Sequence, residues 1–214
     1  MSYRYAFFDL DGTVTNSAPG ILNSVEYALK KMGIEPPARE HLLGFIGPPL
    51  VWSFANIIGM SEEDAHRATA AYRENYAAGG MLECEVYRGI PALLETLHVR
   101  GIICVLATCK PHIYANQILA HFGLDRHFAL VSGPELSGVR NEKHEVIAYA
   151  MEQLGLTDPT EILMIGDRDN DVLGAAQNGI DCAGVLWGFG SREELEGAGA
   201  RYLCADPHAV AALF

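Results

Sequence analysis

Four aspartates in two short runs are the residues of this chain best placed to do chemistry. Asp9 and Asp11 stand two apart in F-F-D-L-D-G-T (7–13), and Asp167 and Asp171 four apart in I-G-D-R-D-N-D (165–171), each run following an apolar stretch. Carboxylates gathered this closely repel one another unless a cation lies between them. Oxygen-only donors with room for water suit Mg2+. A single Asp after a strand is ordinarily a helix cap, and Asp169 is taken here as such a helix-start residue. Acids at two separate strand ends need another explanation. A hydroxyl and two amines accompany them: Thr108-Cys109-Lys110 follows a further apolar run, and Lys143 opens an amphipathic segment. The chain has four lysines, at 30, 31, 110 and 143. The first two fall in a stretch without strands, which leaves Lys110 and Lys143 as the cations for an acidic site.

These residues share one place if the apolar runs are neighbouring strands. Candidate strands lie at 3–8, 102–107, 128–131, 161–165, 182–186 and 201–204. Runs such as ICVLA and ILMI are apolar throughout, as expected of parallel strands covered on both faces. Helix-period segments alternate with them at 90–99, 111–122, 143–154, 169–178, 191–197 and 207–213. In the third, Val146, Ile147, Ala150, Met151 and Leu154 form one apolar stripe. Ser191 with Glu194 reads as a capping box, and Asp206-Pro207 as an N-cap followed by proline at the first helical position. The alternation predicts an α/β fold, a doubly wound, Rossmann-like parallel sheet, in which ligands bind beyond the carboxyl ends of the strands. Asp9, Asp11, Thr108, Asp167 and Asp171 all stand at such ends.

The stretch 15–85 breaks the rhythm. Ile21, Leu22, Val25, Leu29 and Met32 form a helical stripe ending near Gly33 and Pro36-Pro37. Ser61 with Asp64 starts a second helix that runs toward Tyr76 and stops at Gly79-Gly80. About seventy helical residues exceed any ordinary crossover. The expected organisation is an α/β core of 1–14 and 86–214 with a helical domain, 15–85, inserted after the first strand.

Charge narrows the partners. The chain of 214 residues carries 15 basic and 27 acidic side chains, a formal charge of −12, with half its residues hydrophobic. That composition excludes a disordered chain. The mean negative field disfavours nucleic acid and anionic membranes as partners, so an anionic ligand would need positive charge supplied locally. Five cysteines show no C-x-x-C spacing and eight histidines no H-E-x-x-H pattern. No apolar run approaches the ~20 residues that span a bilayer, and the first residues lack a signal peptide's apolar run. The expectation is a reduced, cytoplasmic protein.

The ordered set D-x-D-G-T (9–13), Thr108, Lys143 and G-D-x-x-x-D (166–171), with a helical insert after the first motif, resembles the haloacid dehalogenase superfamily along the whole chain. Within it the chain looks most similar to phosphoglycolate phosphatase-like enzymes. The resemblance implies a Mg2+-dependent phosphatase acting on a small-molecule phosphomonoester through an aspartyl-phosphate. Asp9 would be the nucleophile. Asp11 would protonate the leaving alcohol and ligate Mg2+ through its main-chain carbonyl. Thr108, Cys109 and Lys143 would hold the phosphoryl group, with Lys143 also neutralising Asp9. Asp9 and Asp167 would ligate Mg2+, and Asp171 would be a further ligand or a support for the others. Lys143 stands at the family's lysine position, although His144 follows where a proline is frequent, and Lys110 would reach substrate from the rim. The inserted helices resemble a cap, with Gly44–Leu50 as a specificity loop and Arg39, His41, Arg67 and Arg73 as possible substrate contacts. A monomer or homodimer is expected.

Asp11 argues against the dehalogenase and phosphonatase branches, which lack this acid. Open alternatives are a sugar phosphomutase, a nucleotidase or pyrophosphatase of the same superfamily, and a noncatalytic phosphate-binding regulator.

Overall fold

A computed structural model describes residues 3–214. The chain divides into two compact units, one formed by the residues up to Thr15 together with Val86–Phe214, the other by Asn16–Glu85. In chain order the elements begin with β1 (Tyr5–Phe8) and β2 (Thr15–Asn16), followed by α1 (Ala18–Lys31), α2 (Arg39–Leu42), α3 (Leu50–Asn56) and α4 (Glu62–Ala77). The chain returns through β3 (Glu85–Val86) to α5 (Ile90–Val99), β4 (Ile103–Ala107), α6 (His112–His121), β5 (Phe128–Ser132) and α7 (Lys143–Gln153). It ends with β6 (Ile162–Gly166), α8 (Asp169–Gln177), β7 (Asp181–Val185), α9 (Arg192–Ala198), β8 (Tyr202–Cys204) and α10 (Pro207–Ala211).

Six strands form one sheet in the order β5-β4-β1-β6-β7-β8, every neighbouring pair parallel. This is the doubly wound α/β fold, and all six strands of the sheet lie where the apolar runs placed them. Period-2 alternation explains the two-sided burial. Phe7, Val105 and Met164 point to one face and join Val146, Ile147 and Ala150 of α7 and Val172 and Ala175 of α8 in a single buried cluster. Their neighbours Phe8, Leu106 and Ile165 are fully buried too, as a sheet covered on both faces requires. β1 sits in the middle with β4 and β6 at its sides, so the ends of these three strands meet. Asp9, Thr108 and Asp167 each follow one of them directly.

Three helix starts are capped by the side chains that local rules assign to them. Asp206 accepts from Ala209 N at 2.9 Å, and Ser61 accepts from Asp64 N at 3.2 Å. Ser191 accepts from Glu194 N at 3.1 Å, and the Ser191 backbone N–H helps hold the Glu194 carboxyl below its usual range. Glu194 also accepts from Arg168 Nε at 2.7 Å and Asp169 N at 3.0 Å. Asp169 is the first residue of α8, as expected.

In the helical unit the stripe of α1 is buried at Ile21, Leu22, Val25 and Leu29. α3 was not expected: the segment is short, and its glycine- and proline-rich approach reads as a loop. Phe45 and Ile46 are buried rather than free for substrate, and the Phe45 ring packs edge-on against Phe54 of α3, 4.9 Å between centroids. Two of the arginines considered for substrate contact are engaged within this unit. Arg39 pairs with Glu26 at 2.6 Å and Arg67 with Asp64 at 2.9 Å. No helix among the described residues is long and apolar enough to cross a membrane.

Candidate functional site

Lys143 is the hub of the site. Its ammonium lies 2.8 Å from Asp9 Oδ1 and 2.7 Å from Asp171 Oδ1, and donates to the Ala107 carbonyl at 3.0 Å. One side chain thereby joins the ends of β1 and β4 to the first turn of α8. The residue is 4 % exposed. Burial works against its charge, but Asp171 and Asp9 outweigh it and hold the ammonium well above its ordinary range. α7 is anchored so that Lys143 stays in this position. Ser132 Oγ donates to Val146 O at 2.7 Å, and Asn178 Nδ2 donates to His144 O at 3.0 Å and to Gly174 O at 2.9 Å.

Asp9, Asp167 and Asp171 form a buried carboxylate cluster, with one oxygen of each within 4.8 Å of the others. Both oxygens of Asp167 are oriented: Thr13 Oγ1 donates to Oδ1 at 3.1 Å and Phe189 N to Oδ2 at 2.8 Å. Asp171 Oδ2 accepts from Arg168 N at 3.1 Å. Asp11 is turned elsewhere. Its Oδ2 pairs with Lys110 Nζ at 3.0 Å, while its Oδ1 is buried without a hydrogen-bond partner. Lys110, expected at the rim, is 8 % exposed and part of the site.

The charge balance decides what the cluster can accept. Four carboxylates face two ammonium groups, leaving two formal negative charges in a largely buried space. Burial pushes Asp171 up to about 6 against the pull of Lys143, with Asp9 adding to the rise. Burial, then the charges of Asp171 and Asp9, hold Asp167 well above the usual carboxylate range. Such acids resist ionising together, and a divalent cation relieves that resistance. Hard oxygen donors, an excess of two negative charges and no nitrogen or sulfur ligand in the cluster fit Mg2+.

Thr108 is 1 % exposed, and its Oγ1 accepts from Lys110 N at 3.2 Å. Cys109 is partly exposed. Burial pushes its thiol up to about 12, so it is no thiolate nucleophile at neutral pH. The sequence singled out Asp9, Asp11, Thr108, Cys109, Lys143, Asp167 and Asp171. The structure brings Asp9, Asp167 and Asp171 together around Lys143, and pairs Asp11 with Lys110. Sequence reasoning gave no role to Phe189 or Tyr87, and took Thr13 only as the last residue of D-x-D-G-T. Burial, with the charges of Asp167 and Asp11, pushes the Tyr87 phenol up to about 12. The only local signal was W-G-F-G (187–190), whose paired glycines permit close backbone approach.

Gly12 packs directly against Asp167. Its φ is +86°, and a Cβ there would lie 2.1 Å from Asp167 Oδ2. Gly12→Ala is expected to cost about 2 kcal/mol or more, from left-handed backbone strain and overpacking together. Chemical unfolding of the variant beside the parent checks this.

A model described as haloacid dehalogenase-like hydrolase matches residues 6–185. A protein of Pseudomonas aeruginosa named 5'-nucleotidase is 44 % identical over 206 residues, 96 % of this chain and 93 % of that one. A Mycobacterium tuberculosis protein named tyrosine-protein kinase PtkA is 37 % identical over 195 residues, 91 % of this chain and 66 % of the longer relative. Among solved structures, a crystal structure described as a predicted phosphatase from Clostridium acetobutylicum superposes with a TM-score of 0.95 at 43 % identity, covering 99 % of this chain and 98 % of its own.

Proposed function

Because the chain belongs to the haloacid dehalogenase-like hydrolase family, we propose that it is a Mg2+-dependent phosphatase that hydrolyses a small-molecule phosphomonoester through an aspartyl-phosphate on Asp9. The observation that carries this reading is the Lys143 bridge, 2.8 Å to Asp9 and 2.7 Å to Asp171. It fixes one carboxylate beside a permanent positive charge where a phosphoryl group must also sit.

Lys143 stays protonated at neutral pH, so it neutralises charge and does not act as a base. With Asp9 Oδ1 held by Lys143, Oδ2 is the oxygen that attacks phosphorus. The new O–P bond forms as the bond to the leaving alcohol breaks. Asp11 gives that alcohol its proton, then takes one from the water that attacks the phosphoryl-aspartate, which frees phosphate and restores Asp9. Lys110 orients Asp11 through its Oδ2, leaving Oδ1 for the proton. Thr108, its hydroxyl set at the end of β4, binds phosphoryl oxygens together with Cys109. Asp9, Asp167 and the main-chain carbonyl of Asp11 would hold Mg2+, with Asp171 supporting them through Lys143. Bound there, Mg2+ offsets the repulsion between Asp9 and an anionic substrate. We read the helical unit as the cap that sets substrate specificity.

The test is release of phosphate from p-nitrophenyl phosphate. Turnover should need Mg2+, stop on chelation and return on readdition; equal turnover in EDTA would overturn the metal dependence. The relative named as a kinase makes the acceptor worth resolving. With 5'-nucleotides, phosphoglycolate and hexose 1-phosphates as substrates, free phosphate as the product supports hydrolysis. An isomerised sugar phosphate would identify a mutase, and hydroxylamine-stable phosphate on a tyrosine of an added protein, with a nucleoside triphosphate as donor, a kinase.

A further inference from the structure

We propose that Trp187 is a positioning residue for the cation-binding end of the site, acting through Thr13 on Asp167. The segment 186–191 connects β7 to α9 and was not expected to have any part in the chemistry. Its indole Nε1 donates to the Thr13 carbonyl at 3.0 Å. Thr13 is fully buried, and its hydroxyl donates to Asp167 Oδ1. Two residues beyond Trp187, the Phe189 N–H donates to Asp167 Oδ2. The same short loop therefore fixes one carboxylate oxygen directly and the other through the turn that follows Asp11. Gly188 lets the loop lie this close: a Cβ there would fall 2.3 Å from Asp167 Cβ and 2.5 Å from the Gly12 carbonyl.

Each of these bonds joins residues far apart in sequence, 174 positions for Trp187 with Thr13 and 154 for Thr13 with Asp167. The indole ring is itself only partly buried, so the N–H bond is the specific contact it contributes at this point. Groups that orient a metal ligand typically change metal affinity by about 10–100-fold when removed, and Trp187 stands in that relation to Asp167. The inference rests on the reading of Asp167 as a metal ligand.

The test is titration of the full chain with Mn2+ alone, without substrate, with free Mn2+ followed by electron paramagnetic resonance. Trp187→Phe keeps an aromatic ring and removes the N–H donor together with part of the partly buried indole. It should unfold at nearly the parent's temperature after chelation yet bind Mn2+ about tenfold or more weakly. Thr13→Val should weaken binding too, and the double variant should be no worse than the weaker single one, because both act along one chain of contacts. Trp187→Phe binding Mn2+ within about twofold of the parent, a change too small for a ligand-orienting group, overturns the inference while leaving the metal reading intact. A parent that binds no Mn2+ overturns both. Should Trp187→Phe fail to fold, Thr13→Val reads the next link: a comparable loss supports the inference, and unchanged binding overturns it.

Discussion

Asp9→Asn is expected to lower kcat on p-nitrophenyl phosphate by roughly 10^4-fold or more, the scale on which loss of a covalent nucleophile is felt. The amide has nearly the shape of the carboxylate, so packing at the end of β1 should survive. The charge is what disappears, and with it part of the repulsion among Asp9, Asp167 and Asp171. Thermal unfolding in EDTA should therefore show a variant at least as stable as the parent while its activity is lost. A structural residue would behave in the opposite way, losing stability and activity together. Phosphate-release kinetics and a melting curve on the same preparation read both outcomes, and turnover near the parent's would overturn the role given to Asp9.

Lys143→Met is expected to destabilise the chain as well as inactivate it. The methionine has a similar length and no charge, which leaves Asp9 and Asp171 buried without the ammonium that lies 2.8 and 2.7 Å from them. Breaking a buried ion pair from one side costs about 3–5 kcal/mol. For a chain of this size that corresponds to a fall in Tm of roughly 6–20 °C. The loss should be largest after chelation and smaller in excess Mg2+, since a cation at the carboxylates replaces part of the missing charge. Paired melting curves with and without Mg2+ check this. An unchanged Tm in EDTA would mean that the three carboxylates do not depend on Lys143.

These two residues were legible in the sequence because local rules place them. β4 and β6 are apolar throughout, and such runs identify buried parallel strands by composition alone. Whatever follows them must then lie at the sheet's carboxyl edge. Lys143 was open against Lys110 on composition alone, and the structure places both in the site with different partners. Lys143 meets Asp9 and Asp171, and Lys110 meets Asp11. Pairings of this kind depend on side chains brought together from separate strands, which periodicity cannot report. The same holds for Glu194, which local capping rules assign to its own helix start and which also engages Arg168 near the start of α8. The 44–50 stretch illustrates the other failure. Its glycines and prolines announce an irregular backbone, but Phe45 is buried and packs against Phe54 of α3, a helix of seven residues whose signal is too short to read.

The formal charge of −12 takes on a local meaning here. Four of the acids stand in one site against two lysines. Under the proposed function an anionic substrate would enter there only when that excess is cancelled, which would make the cation part of substrate binding as well as of the chemical step.

If the phosphoryl group passes through Asp9, an acid quench during turnover should trap it there. The protein is mixed with Mg2+ and p-nitrophenyl phosphate, quenched in acid during turnover, digested and examined by mass spectrometry. A phosphoryl group on the peptide that contains Asp9, labile to hydroxylamine and absent from Asp9→Asn, is the predicted result. Sustained release of phosphate with the label on another residue, or with Asp9→Asn as active as the parent, would contradict it.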